Sequence, residues 1–179
     1  MKFSTLFFAV SSALATATTV FAQAAPPAPP VLKHLYTLNC TLDTPVDVGP
    51  GPKGHRVVLP IIGGTFAGKH MTGTVMNLGA DWGIADSFGT FSADTRYNLV
   101  TDDGANIFIQ TAGPGQTPDG VAGTLWHLRI SFETGSEKYY WLNNIVAVGL
   151  LRPGNAALNY VIIDAFYMDG PAAQAAIGE

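Results

Sequence analysis

Between Val31 and Met168 the sequence has almost no helical periodicity. Short runs of β-branched and aromatic residues are separated instead by clusters of Gly, Pro, Asn and Asp, a pattern typical of strands joined by turns. The segment Thr101–Gly104 ends in an Asp-Gly pair, which favours a tight hairpin because both residues tolerate a positive φ. The pattern predicts an all-β domain built from antiparallel strands.

The β-rich runs follow one another at short spacing and predict about eight to ten sequential strands. Among them are Val31–Leu42, Arg56–Ile62, Gly73–Leu78, Phe91–Val100, Ala105–Thr111, Thr124–Thr134, Lys138–Leu150 and Leu158–Met168. We expect a bulge or bend at Gly63-Gly64 and irregular loops at Asp47–Gly54 and Ala112–Gly123. A sheet with so many strands removes its exposed edges best by closing on itself. The predicted fold is therefore a closed or nearly closed antiparallel β-barrel, with a two-sheet β-sandwich as the alternative.

The N-terminus has the features of a secretory signal peptide. Lys2 precedes a mostly apolar run, Phe3–Val20, and small residues suit cleavage near Ala22 or Ala24. Small polar residues dilute that run too much for a stable membrane span. We therefore predict a signal peptide (1–24), a Pro-rich spacer (25–30), a β-barrel domain (31–169) and a flexible tail (170–179), in a secreted protein or one of the secretory lumen.

Secretion agrees with a possible glycosylation site. Asn39-Cys40-Thr41 is an N-x-[ST] sequon. If Asn39 faces solvent, strand alternation points Cys40 inward as a small buried hydrophobic residue. We therefore expect Asn39 to be a candidate glycosylation site and Cys40 a packing residue.

The composition excludes several classes of protein. One cysteine cannot form an internal disulfide. Nine basic and thirteen acidic residues give a net charge of −4, without the basic cluster that a nucleic-acid partner requires. Apolar residues make up 47% of the chain, which argues against disorder, and charged residues only 12%, against about 25% in an average soluble domain.

Motifs for metal, phosphate and covalent chemistry are absent from the sequence. The four histidines, His34, His55, His70 and His127, have no metal-ligand spacing. There is no GxSxG nucleophile elbow, and Gly63–His70 lacks the Walker spacing of a phosphate-binding loop. We therefore predict neither a metal nor a cofactor.

Two predicted strands carry polar residues on one face and apolar residues on the other. The polar faces hold Asp94, Arg96 and Asn98 in one strand and His127, Arg129 and Ser131 in the other. Such a face is either the solvated outside of the sheet or the lining of a barrel that holds one small ligand. The shortage of charged residues favours the second interpretation, since soluble exteriors usually carry more Lys and Glu.

An aromatic lining with a few polar groups suits an aromatic or polyketide-like ligand. Trp and Tyr rings stack on such a ligand, a guanidinium stabilises a developing oxyanion, and an Asp or His moves a proton. The candidate catalytic residues are Arg96, His127, Asp81 and Asp94. The candidate ligand-binding residues are Trp82, Tyr97, Trp126, Tyr139, Trp141 and Asn143. The alternative for each aromatic residue is core packing, and for Asp94 with Arg96 it is a structural ion pair.

Six segments of the predicted domain carry distinctive motifs: Leu59–Gly68, Gly79–Trp82, Asp94–Leu99, Thr101–Ala105, Phe132–Gly135 and Tyr140–Asn143. They resemble segments of the domain-of-unknown-function family 3237. Their order and spacing hold from about Val31 to Tyr167. The resemblance implies an antiparallel β-barrel similar to calycin-like cups, and little about biochemistry. By analogy, small secreted barrels of this kind occur among fungal secondary-metabolite enzymes that guide cyclisations, including hetero-Diels–Alder reactions.

These observations lead to three functional hypotheses. The first is a secreted, cofactor-independent enzyme that promotes cyclisation or cycloaddition, dehydration or isomerisation of an aromatic or polyketide-terpenoid metabolite by confinement and hydrogen bonding. The second is a non-catalytic carrier of such a ligand, and the third is a secreted structural or interaction protein. In the first two hypotheses the partner is a small molecule. All three are compatible with a homodimer.

Overall fold

The computed structural model describes residues 26, 28–116, 125–154 and 159–177. The strands are β1 (Leu32–Leu42), β2 (Val46–Gly51), β3 (Gly54–Ala67), β4 (Thr72–Ala85), β5 (Phe91–Thr101), β6 (Asn106–Gln116), β7 (Leu125–Glu133), β8 (Ala147–Pro153) and β9 (Tyr160–Met168). A 3₁₀ helix (Glu137–Asn144) precedes β8, and the helix α1 (Pro171–Ile177) follows β9. The predicted signal peptide and residues 117–123 of the predicted loop Ala112–Gly123 lie outside the described residues. Both helices of the described chain fall short of the length and hydropathy needed to cross a membrane.

Eight of the strands close into a barrel. Each strand from β3 to β9 pairs antiparallel with the next one along the chain, and β1 closes the circle by pairing with both β9 and β3. In the part of the chain that the structure describes, β2 pairs only with β3. These two strands form a β-hairpin, and β2 lies outside the closed circle of eight strands. The predicted antiparallel barrel is confirmed, and the β-sandwich alternative is wrong.

Several predicted boundaries differ from the observed ones. Most of Asp47–Gly54 lies in β2 and the start of β3, where the sequence predicts an irregular loop. Strand β4 runs on to Ala85 beyond the predicted end at Leu78, because two extra residues between Val75 and Gly79 bulge out against β5 and the pairing then resumes. A bulge of this kind bends a strand without ending it.

The predicted strand Lys138–Leu150 is instead the 3₁₀ helix followed by β8. Tyr139, Trp141 and Leu142 of that helix are buried, and the Trp141 ring packs edge-on against Tyr167 with ring centroids 5.9 Å apart. Burial of these large side chains against the barrel outweighs the intrinsic preference of Tyr139 and Trp141 for strands. Because the helix joins the end of β7 to the start of β8, it covers that end of the barrel.

The same end also carries the last described residues. The sequence predicts a flexible tail at 170–179, and the structure places the helix α1 there. Ala173 of α1 is buried and belongs to the hydrophobic core, and α1 packs against the 3₁₀ helix. The two helices together form a cap, called here the helical cap.

The pair Gly63-Gly64 forms the predicted bulge in β3. Thr41 of β1 pairs with Gly63 and Leu42 pairs with Ile61, so Ile62 is the extra residue and its side chain is exposed. Gly64 has a positive φ of 142°, and a Cβ at this position would collide with the Asn39 carbonyl. Glycine is needed here because the two backbones approach closely.

Inward and outward residues alternate along the barrel strands. In the half of the barrel next to the helical cap, the interior is filled by large apolar side chains, among them Tyr36, Leu38, Phe66, Leu99, Ile107, Ile109 and Phe132. Tyr36 makes edge-to-face contacts with Phe66 and Phe132. This half is therefore a packed core, and any ligand site inside the barrel must lie towards the opposite end.

Candidate functional site

The end of the barrel opposite the helical cap contains a cavity of about 110 Å³. Side chains from seven strands line it: Cys40, Leu42, Leu59, Ile61, Asp81, Phe91, Ala93, Thr95, Tyr97, Trp126, Leu151, Pro153, Val161 and Ile163. Most are apolar, and the described lining includes no Lys, Arg or His. A lining of this character suits a small, largely apolar ligand.

Asp81 is the acidic group in this lining. It lies on the inner face of β4 and is only 9% exposed. Its Oδ1 accepts a hydrogen bond of 2.8 Å from the backbone N–H of Asp94. Burial raises the pKa of the Asp81 carboxyl, and hydrogen bonds from the Asp94 amide and the Thr95 hydroxyl only partly oppose this effect. Asp81 can therefore hold a proton at a higher pH than an exposed carboxyl and release it inside the cavity.

Two other proton-bearing residues in the lining stay protonated. Burial, with a smaller contribution from the nearby Asp81 carboxyl, raises the pKa of the Cys40 thiol to about 12. A thiol in this state is a poor nucleophile, so Cys40 acts as the predicted packing residue. Burial also raises the pKa of the Tyr97 hydroxyl well above its ordinary value, and this hydroxyl has no hydrogen-bond partner of normal geometry in the described structure. Among the described lining residues, Asp81 is therefore the group best suited to exchange a proton.

The polar face of β5 does not line the cavity. Ala93, Thr95 and Tyr97 point inward, whereas Asp94 and Arg96 lie on the outer wall between them. Their side chains form an ion pair of 2.9 Å, each 42% exposed, which is the structural alternative considered for this pair. The interpretation of this face as a barrel lining is therefore wrong, and the face is the solvated outside of the sheet.

Trp82 and His127 are also on the outer wall. Strand alternation places Trp82 next to the inward Asp81 and on the opposite face, where its ring lies 6.0 Å from the Arg96 guanidinium carbon. His127 is exposed on β7, while its neighbour Trp126 contributes to the cavity. Of the four predicted catalytic residues, the barrel brings only Asp81 into the cavity, and Asp94 contributes its backbone N–H.

The predicted ligand-binding residues divide between the two ends of the barrel. Tyr97 and Trp126 line the cavity. Tyr139 and Trp141 are buried in the helical cap, and the Tyr139 hydroxyl donates to Asp103. Asn143 lies in the same helix. Their assignment to the ligand site rested on a predicted strand, and the 3₁₀ helix places them at the opposite end.

Asn143 has a structural role. Its amide oxygen accepts a hydrogen bond of 2.9 Å from the Thr134 backbone N–H, and its amide nitrogen donates to the carbonyls of Thr134 and Tyr140. We expect Asn143→Ala to lower the free energy of unfolding by about 1–3 kcal/mol, because it leaves part-buried backbone groups unpaired. Ligand affinity of the folded variant should stay unchanged. Urea denaturation measures the change in stability, and a binding titration measures ligand affinity. A large loss of affinity would indicate that Asn143 belongs to the ligand site.

Several cavity residues were not predicted from the sequence. Phe91, Ala93 and Thr95 share the inner face of β5 with Tyr97, so extending the alternation from Tyr97 would have found them. Leu59, Val161 and Ile163 carry no chemical signal that separates cavity lining from core. In the described chain, no group of three His, Cys, Asp or Glu side chains is arranged to hold a metal ion.

The chain is similar to proteins from fungi and bacteria. A hydroalkoxylation enzyme, phnH, from Penicillium herquei is 32% identical over 123 residues, covering 69% of this chain and 75% of that protein. A UPF0311 protein from Clostridium acetobutylicum is 30% identical over 129 residues, covering 65% of this chain and 82% of that protein. The crystal structure of a beta-barrel like protein from Acinetobacter baumannii AYE aligns with a TM-score of 0.75 at 37% identity, covering 82% of this chain and all of that one.

The sequence model of a family described as "Protein of unknown function (DUF3237)" matches residues 30–168, which include all nine strands. The match agrees with the resemblance carried by the sequence segments and with the closed barrel. The chain is a member of the DUF3237 family.

Proposed function

We propose that this chain is an enzyme that cyclises an uncharged, largely apolar metabolite in the barrel cavity. The reaction is the addition of a hydroxyl group of the ligand across one of the ligand's own double bonds. The observation that carries the proposal is the buried Asp81 carboxyl, whose pKa is raised, in the wall of an otherwise apolar cavity. Support also comes from a relative whose name describes hydroalkoxylation, which is the addition of an alcohol to a double bond.

The proposed step balances within the ligand and Asp81. The protonated carboxyl gives its proton to one carbon of a conjugated or electron-rich double bond, whose π electrons form the new C–H bond. The hydroxyl oxygen of the ligand forms a C–O bond to the other carbon and loses its proton to the Asp81 carboxylate. The product is an isomer of the substrate, and no oxidant, reductant or cofactor is consumed.

The remaining cavity wall contributes by positioning. Apolar side chains hold the ligand so that its hydroxyl and double bond stay in contact, and such pre-orientation lowers the barrier without a covalent intermediate. Exclusion of water also prevents water from competing with the hydroxyl as the nucleophile. A cycloaddition would use the same confinement but needs no proton donor, so the placement of Asp81 favours hydroalkoxylation over the hetero-Diels–Alder hypothesis.

The proposal is tested with purified protein and a panel of phenols that carry an ortho-alkenyl chain. Because substrate and product have the same mass, the reaction is followed by chiral chromatography and NMR rather than by mass spectrometry alone. We expect formation of the cyclic ether with an excess of one enantiomer. Tight binding of the phenols with no conversion would favour the carrier hypothesis, and neither binding nor conversion would favour the structural or interaction hypothesis.

We also propose that the protein enters the secretory pathway and carries a glycan at Asn39. Asn39 is exposed on β1, and its neighbour Cys40 is buried, an arrangement that leaves the side chain of Asn39 accessible. We expect protein made in a eukaryotic secretory host to lose mass on treatment with an N-glycosidase. The Asn39→Gln variant should lack this loss. An identical mass for treated and untreated wild-type protein would contradict the glycosylation.

A further inference from the structure

Phe91 and Trp126 form an aromatic pair at the cavity end of the barrel. Phe91 begins β5 and Trp126 lies near the start of β7, and both line the cavity. Their rings meet edge to face, with centroids 6.5 Å apart and planes at 88°. Strand β6 runs between the two, and its inward positions at this level are Gly113 and Gly115. A Cβ at Gly113 would collide with the His127 carbonyl, so glycine at this position lets β6 lie close to β7.

Gly83 makes room for the Phe91 ring. It lies on the inner face of β4, and a Cβ at this position would collide with the Cζ end of the ring. The end of the ring therefore packs on bare backbone, and a side chain at position 83 would leave no room for it.

The indole of Trp126 carries an unpaired polar group. Its Nε1 is buried and has no hydrogen-bond partner in the described structure. Buried N–H donors are almost always paired, because an unpaired one is unfavourable. A lone donor on a side chain that lines a ligand cavity indicates that a ligand atom pairs with it.

We propose that Trp126 is the recognition residue of the cavity and that its Nε1–H donates to an oxygen acceptor on a planar aromatic ligand. Because Nε1 is covered in this structure, the Phe91 ring moves aside and the ligand ring replaces its contact with the indole. The described lining has no cationic side chain to bind an anion and is apolar over most of its surface, so we assign it an uncharged ligand, such as an aryl ketone or a phenol. This inference deepens the proposed function, because it names the substrate class of the same cavity.

The test compares two probes of nearly identical shape, acetylnaphthalene and ethylnaphthalene, of which only the first has an acceptor oxygen. Equilibrium dialysis gives both dissociation constants without depending on tryptophan fluorescence. We expect the wild-type protein to bind the ketone roughly 2- to 10-fold more tightly than the hydrocarbon, as a single hydrogen bond provides. Trp126→Phe retains an aromatic ring but loses the donor, and should bind the two probes equally.

Trp82→Phe is the matched control, because Trp82 lies on the outer wall, and it should keep the wild-type preference. If Trp126→Phe does not fold, NMR of the wild-type protein labelled with ¹⁵N in its indoles gives the same information. The ketone should shift the Trp126 indole resonance far more than the hydrocarbon does. An equal preference in wild type and Trp126→Phe, or no binding of either probe to wild type, would overturn the inference.

The outcome is separable from that of the proposed function. Both probes lack a hydroxyl and an alkenyl group, so the experiment measures recognition without turnover. A protein that recognises the ketone through Trp126 but never cyclises an alkenyl phenol would retain this inference and lose the proposed reaction. A protein that cyclises the phenols with no role for Trp126 would do the reverse.

Discussion

Asp81→Asn should reduce the rate of cyclisation by about 10²- to 10⁴-fold, the usual contribution of a positioned general acid or base. The substitution keeps the size of the side chain and an oxygen that can accept the Asp94 backbone N–H, so the barrel should fold normally. Ligand affinity should change little, because most of the cavity wall is untouched. Turnover of the alkenyl phenols and equilibrium dialysis measure the two effects separately.

Asp94→Asn is the matched control, since it makes the same chemical change one strand away on the outer wall. It removes the exposed ion pair with Arg96 but retains the backbone N–H that holds Asp81. We expect near wild-type turnover for this variant. Equal rate losses in both variants, or full activity in Asp81→Asn, would show that Asp81 is not the acid.

The raised pKa of Asp81 also predicts how activity and stability depend on pH. Activity that requires the protonated carboxyl should fall as the pH rises through the pKa of the folded protein. Because this pKa is higher than in the unfolded chain, the contribution of Asp81 to stability is fully present below the unfolded pKa and lost as the pH rises through the folded pKa. The stability of Asp81→Asn relative to wild type should therefore increase from acidic to neutral pH, as measured by urea denaturation at several pH values.

Ala93→Phe should abolish most ligand binding by filling the cavity from inside. Ala93 is buried on the inner face of β5 and lines the cavity, so a phenyl ring at this position occupies the space that the ligand needs. A ligand forced to share that space should lose about 1–3 kcal/mol of binding energy, or roughly 5- to 150-fold in affinity. Equilibrium dialysis with acetylnaphthalene measures the loss.

The matched control is Ala112→Phe. Ala112 lies opposite Asp94 on β6 and faces the outer wall, so the same ring is added at the same height outside the barrel. Its affinity should equal that of the wild-type protein. Circular dichroism and thermal denaturation establish that both variants fold. Unchanged affinity in folded Ala93→Phe would place the ligand site outside the barrel.

The sequence was sufficient to predict the fold class, because alternation and turn residues act locally. The number of predicted strands indicates a closed barrel. Two adjacent glycines within a β-rich run indicate a bulge at Gly63-Gly64. The sequence predicts a strand instead of the 3₁₀ helix because Tyr139, Tyr140 and Trp141 are aromatic residues that favour strands. The helical conformation is stabilised by burial of Tyr139 and Trp141 against the barrel, which no local pattern reveals.

The site was predicted less well than the fold, for a related reason. Alternation correctly grouped Asp94 with Arg96, and His127 with Arg129, but it does not say which group faces inward. The scarcity of charge favoured a polar interior, whereas the structure uses the few charged groups on the outer wall and fills the interior with apolar side chains. Asp81 is one of the predicted catalytic residues. Its position as the acidic group of a mostly apolar cavity depends on side chains from seven strands that are distant in sequence, so no local pattern predicts it.

The helical cap has a consequence for the proposed reaction. Trp141, Leu142 and Ala173 close one end of the barrel, so a molecule that enters through the mouth also leaves through it. In the proposed reaction, the cyclised product must leave before another substrate molecule binds, and as an isomer it is nearly the same size as the substrate. We therefore expect accumulating product to inhibit competitively and product release to limit the rate.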